Sequence, residues 1–164
     1  MVRKRGTATG LLRTEWGTTM TEVDQNEAGF TFDSDEEELV TYGVGPCIAI
    51  AIVNQTRRWA GLCHYDNVHH KVPQLRAFLS EARRACGPED TVELWIGGGD
   101  NTDQATADGV NRSREVAESV VQSLFPITSS PLWIDCGGAY DICVSAASAD
   151  IMFELISSDE PTDP

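Results

Sequence analysis

The chain has 164 residues, of which 41% are hydrophobic, and a formal net charge of −14. That length fits one domain with a sizeable core, and that charge speaks against nucleic acid, whose phosphates need the opposite sign. There is no apolar run of about eighteen residues and no signal-peptide core, so neither a membrane span nor classical export is expected.

Residues 1–26 open basic, with Arg3, Lys4, Arg5 and Arg13, and continue polar through Thr18, Thr19 and Thr21. They read as a mobile arm ahead of a single domain over 27–157, with an acidic, proline-bearing tail over 158–164. Residues 29–33 form a first short strand. Residues 33–38 gather acids into a solvated turn, or into a docking surface for a basic substrate. In the following segment Ile48, Ile50 and Ile52 alternate with Cys47, Ala49, Ala51 and Val53, a period of two that argues for a strand. A second strand over 58–65 is joined to it through the turn-tolerant Asn54, Gln55 and Thr56, which makes an antiparallel hairpin the simplest connection.

Residues 72–86 read as a helix: Val72, Leu75, Phe78, Leu79 and Ala82 share one stripe, Pro73 stands in the first turn and Gly87-Pro88 follows. A strand over 91–96 ends in Gly97-Gly98-Gly99. Without Gly-Lys-Ser/Thr or G-x-G-x-x-G, that run is better suited to close backbone approach than to a nucleotide. After a polar stretch over 100–108, residues 112–125 read as a second amphipathic helix with Ser113 as its cap and Pro126 as its stop. Strands over 132–135, 141–146 and 151–156 close the domain, the first two joined by Gly137-Gly138. About seven strands and two long helices make an α+β domain.

The chemistry concentrates in residues 39–66. A hairpin symmetric about the Gln55–Thr56 bond pairs Cys47 with His64, and directly opposed residues have Cβ atoms roughly 4.5–5.5 Å apart on one face. A slip of one residue would send them to opposite faces. Gly43 and Gly45 let the chain turn sharply and present backbone N–H groups beside the thiol, as an oxyanion site requires. A small buried cysteine and a structural histidine are the plainer alternative. A metal site built from Cys63, His64, His69 and His70 fits poorly, since adjacent strand residues point to opposite faces and no ligand spacing is present. His69 and His70 instead suit the rim of a substrate cleft. No cofactor is expected.

Thr41-Tyr-Gly-Val-Gly-Pro-Cys47, then Ile-Ala-Ile-Ala and Gly61-Leu-Cys-His64, resembles the chemoreceptor glutamine deamidases (CheD), which carry T-x-G-x-G-S-C and a histidine seventeen residues after the cysteine. More distantly it is similar to deamidase toxins of the cytotoxic necrotizing factor type. The resemblance extends weakly to Leu94-Trp-Ile-Gly-Gly-Gly99, to Gly109-Val-Asn-Arg112 and to Asp135-Cys-Gly-Gly138. Pro46 replaces the family's serine and removes one N–H from the turn; Asn111-Arg112 inverts the family's order; Ala139-Tyr-Asp lacks its usual basic residues.

The resemblance implies a mixed β-sandwich flanked by two amphipathic helices, and a catalytic Cys47, His64 and Thr41. It implies a hydrolase that converts a glutamine on a protein to glutamate and releases ammonia. Thr41 would orient His64, with Asp66 as the alternative orienter, and local positive potential would sustain the thiolate. Gly98, Gly99 and Asp66 join His69 and His70 as cleft candidates. The implied partner is a chemoreceptor or another signalling protein presenting a glutamine, together with a regulatory binding protein. A toxin-like effector acting on a host signalling protein, a non-catalytic binding module, and a cysteine peptidase or acyl transferase are the alternatives. Five cysteines, Cys47, Cys63, Cys86, Cys136 and Cys143, are an odd number that favours free thiols and a bacterial cytoplasmic site, or delivery into a target cell for an effector.

Overall fold

The computed structural model describes residues 2–5, 19–35, 37–125, 132–133 and 138–156. The expected helix stop at Pro126, Asp135, Cys136, Gly137 and the tail from 157 lie outside the described residues, as do residues 6–18 of the expected arm.

Among the described residues two five-stranded sheets pack face to face, and two helices cover the outer face of one of them. The strands are β1 (Val2–Arg5), β2 (Thr19–Glu22), β3 (Glu27–Phe32), β4 (Glu37–Val44), β5 (Ile48–Asn54), β6 (Trp59–Tyr65), β7 (Val92–Gly98), β8 (Leu132–Trp133), β9 (Ala139–Ser145) and β10 (Asp150–Ile156), with helices α1 (Val72–Arg84) and α2 (Ala107–Leu124). One sheet runs β1-β10-β9-β4-β2 and the other β3-β6-β5-β7-β8. The architecture is the mixed, helix-flanked β-sandwich expected, with more strands.

Within residues 1–26, expected as an arm, the described residues 2–5 and 19–22 are strands. β1 pairs parallel to β10, and β2 pairs parallel to β4. Both are short edge strands of polar composition, which carry little hydrophobic periodicity to read.

Every residue of β5 is buried because the strand has no solvent face. Ile48, Ile50 and Ile52 pack beneath the helices with Leu75, Phe78, Leu79, Ala117 and Val121. Ala49, Ala51 and Val53 face the second sheet, against Leu39, Val44, Ile142, Val144 and Ile151. Large side chains lie on the helix side and mostly small ones between the sheets, so the sheets can approach closely at the strand that leads out of Cys47. The α1 stripe packs as read, with Leu75, Phe78, Leu79 and Ala82 buried.

Two expectations about local structure are corrected. The hairpin register follows Ala49↔His64 and Asn54↔Trp59, so paired numbers sum to 113 and His64 does not face Cys47 directly. The Asn54 side chain accepts the N–H groups of Thr56 and Arg57 at 3.0 and 2.9 Å, and Arg58 adopts φ 56°. These features make a four-residue loop, whereas a two-residue turn would have required positive φ at Gln55, and in its type I′ form at Thr56 as well. Helix α2 begins at Ala107, five residues before the expected start, so Ser113 lies within it and not at its cap.

Candidate active site

Thr41, near the end of β4, and His64, near the end of β6, belong to different sheets and meet between them. Thr41 Oγ1 lies 2.7 Å from His64 Nδ1, and the same hydroxyl donates to the Val23 carbonyl at 2.7 Å. A threonine hydroxyl has one proton and a carbonyl can only accept. With that proton given to Val23, the imidazole must donate from Nδ1. His64 Nε2 therefore carries the lone pair of a base. It is buried without a hydrogen-bond partner among the described residues, and His64 as a whole is 4% exposed.

Asp66 has other partners. Its carboxylate forms an ion pair with Lys71 and accepts from Gln25 Nε2 at 2.8 Å. The hydrogen-bonded partner of the His64 ring is Thr41.

Cys47 lies one residue ahead of β5. His64 pairs with Ala49, two residues further on, and the register differs from the expected one by an even number, so the face is conserved. Sγ makes no hydrogen bond to Nε2. The carbonyl of Cys47 accepts the Gly99 N–H at 2.8 Å, and that of Gly45 accepts the Asp100 N–H at 3.0 Å, which ties the cysteine turn to the end of β7. Gly98 sits at φ 88°, where a Cβ would overlap the Cys47 carbonyl oxygen. Gly98 and Gly99 are thus buried behind the cysteine turn as its backbone support.

Gly43 is not free to serve an oxyanion, because its N–H donates to Asp141 Oδ1 at 3.0 Å. Its left-handed φ of 65° accompanies the irregular register between Thr41 and Val44. The amide of Cys47 pulls its own thiol down, so an N–H donor stands beside the sulfur.

The thiol is partly exposed and lines an open cleft of about 450 Å³. Pro46, Cys47, Asp66 and Asn67 form one part of the lining, and Asp100, Asp103, Thr106, Gly109, Val110 and Ser113 complete it. His69 reaches this lining through Ser113, with Nδ1 and Oγ 2.8 Å apart, while His70 is exposed with its ring 4.1 Å from that of His69.

Burial pushes the Cys47 thiol up, against the opposing pull of the Lys71 ammonium and of its own amide. Burial pushes His64 down. Both effects favour a neutral thiol and a neutral imidazole at rest. Positive potential is present, as expected, but desolvation outweighs it.

Lys71 escaped the sequence reading. It is held by Asn26 Oδ1 at 2.7 Å, by the Asp66 carbonyl at 3.1 Å and by the Asp66 carboxylate. The available signal was a lone cation closing a histidine-rich loop near the hairpin that follows Cys47.

Cys63 lies on the opposite face of β6 from His64, under the helices, so these two cannot share a ligand. Among the described residues no group of three or more His, Cys, Asp or Glu converges as a metal site. Cys47, Cys63 and Cys86 are free thiols. No described helix is long and apolar enough to cross a membrane.

No protein-family model matches the chain, and the comparison with curated proteins finds no similar sequence. Among solved structures, the hypothetical protein YfiH of Bacillus licheniformis is similar over 66% of this chain, at 12% identity and a TM-score of 0.49. The chain spans 50% of that protein's length.

Proposed function

We propose that the protein is a protein-glutamine deamidase, with Cys47 as nucleophile, His64 as general base and Thr41 as the residue that orients it. The observation that carries this reading is the chain Val23 O, Thr41 Oγ1, His64 Nδ1, which leaves Nε2 unprotonated and unpartnered. A purely structural buried histidine would be expected to use both nitrogens.

As Sγ attacks the carboxamide carbon, its proton passes to His64 Nε2. The Cys47 N–H receives the developing oxyanion; a donor of this kind is typically worth about 10²–10³ in turnover. His64 returns the proton to the departing nitrogen and ammonia leaves. Water then attacks the thioester with His64 again as base, yielding glutamate and the free thiol. Because thiol and imidazole rest neutral and unbonded, proton transfer belongs to the substrate-bound state, where catalytic hydrogen bonds commonly tighten.

By the CheD resemblance the substrate is a chemoreceptor or another signalling protein in the bacterial cytoplasm. A host signalling protein is the counterpart for an effector delivered into a target cell. A second reading, a non-catalytic binding module, is favoured by the raised thiol and by the missing Cys47–His64 hydrogen bond.

The test is ammonia release from a pool of glutamine-containing peptides, with mass spectrometry for conversion of amide to acid. Release without peptide-bond cleavage that vanishes in both Cys47→Ala and His64→Ala is expected. Absence of release, with Cys47 alkylated no faster than the structural Cys86, makes the protein a binding module.

A further inference from the structure

The buried stripe of α2 consists of Val110, Ser113, Ala117, Val120 and Val121, and Ser113 is its one polar member. It is 3% exposed, yet it belongs to the lining of the cleft that holds Cys47. A buried serine within a helix ordinarily bonds back to a carbonyl of the preceding turn. Ser113 instead pairs with a side chain 44 residues away, His69 Nδ1, at 2.8 Å.

His69 is itself fixed. Its ring stands 4.1 Å from that of His70, and a methyl added at Gly109 would meet its Cε1 at 3.9 Å. Partial burial, then the neighbouring His70 and Arg112, hold its imidazole below the usual range. A neutral imidazole can take the serine proton at Nδ1, which leaves the lone pairs of Oγ for the cleft.

We infer that Ser113, set by His69, is a specificity-determining residue that accepts an N–H of the substrate's primary carboxamide in the Cys47 cleft. The inference rests on the deamidase reading and extends it to how amide is told from acid. A carboxamide offers N–H groups to an acceptor. A carboxylate offers none, and its oxygen against a lone pair is repulsive, so the same pair favours release of the acid product. Asp66, Asp100 and Asp103 in the lining act in the same direction.

Iodoacetamide and iodoacetate test this directly, since they deliver the same alkyl group to sulfur while carrying a carboxamide or a carboxylate. The quantity to measure is the ratio of their rate constants at Cys47, located by peptide mapping and normalised to free cysteine at the same neutral pH. Thiolate content and general-base help enter both rates and cancel in the ratio. Ser113→Ala should lower the ratio about three- to tenfold, the range of one lost hydrogen bond. His69→Ala should lower it in the same sense, and removing a neutral ring leaves the charge of the cleft unchanged. Ser113→Thr, which keeps the hydroxyl, should retain it. An unchanged or increased ratio in His69→Ala, or in a folded Ser113→Ala, overturns the proposal. Failure of the deamidase reading shows elsewhere, in the absolute Cys47 rate and its indifference to His64→Ala.

Discussion

At the scale of single residues, the resting protonation of Cys47 and His64 decides how the pair works. A preformed thiolate–imidazolium pair needs the thiol low and the imidazole high, whereas burial moves both the other way. Alkylation of Cys47 should therefore rise in two steps with pH. The first comes as His64 loses its proton, below the ordinary imidazole value of about 6.5, and the second as thiolate forms above the ordinary thiol value of about 8.5. His64→Ala should keep only the upper step. Thr41→Val should lower the plateau between them, because it removes the acceptor of the Nδ1 proton and leaves the Val23 carbonyl without its donor. General-base assistance typically contributes about 10²–10⁴, and loss of the orienting hydroxyl should remove roughly tenfold or more of it. Rates measured from about pH 5 to 10 in the three proteins check this; one low step in wild type, with nothing above it, overturns the neutral-pair account.

At the scale of elements, the cysteine turn is held less by its own glycines than by the end of β7. Gly43 and Gly98 both have positive φ, but their surroundings differ: nothing lies within 4 Å of a Cβ at Gly43, whereas one at Gly98 would strike the Cys47 carbonyl and come 2.7 Å from Val44 Cγ1. Gly43→Ala should cost about 1–2 kcal/mol, the left-handed penalty alone. Gly98→Ala should cost more, at least about 3 kcal/mol, and should displace Cys47. Urea unfolding of the two variants measures the difference, and equal costs would refute the support assigned to β7. The same turn shows what the sequence made legible. The unbroken apolar run of β5, the α1 stripe and the glycine run of β7 were readable because burial on both faces, helical period and lack of Cβ are local properties. The hairpin register was not, since it depends on the Asn54 side chain and on Arg58 adopting positive φ. Thr41 and His64 could be matched to the family's pattern, but their contact joins two sheets. The Ser113–His69 and Lys71–Asn26 contacts likewise join segments far apart in sequence, which no local spacing encodes.

At the scale of the whole molecule, the tautomer of His64 depends on the first residues of the described chain. β2 runs parallel to β4 at the edge of its sheet and leads into Val23, whose side chain is buried between the sheets and whose carbonyl receives the Thr41 proton. Gln25 and Asn26 then reach Asp66 and Lys71 beside the cleft. A chain lacking residues 1–23 keeps Gln25 and Asn26 but loses β1, β2 and the Val23 acceptor. A mobile arm could be removed at no cost to the site. The sandwich described here predicts otherwise: Thr41 would be free to turn its proton toward His64 Nδ1, the ring could then carry its proton on Nε2, and the base would be lost. The truncated protein should unfold at lower urea concentration than the full chain and should lose the lower, His64-dependent step of Cys47 alkylation while retaining the upper one. If it keeps both steps and its stability, the order Val23, Thr41, His64 is not what sets the tautomer, and the general-base role must be sought without it.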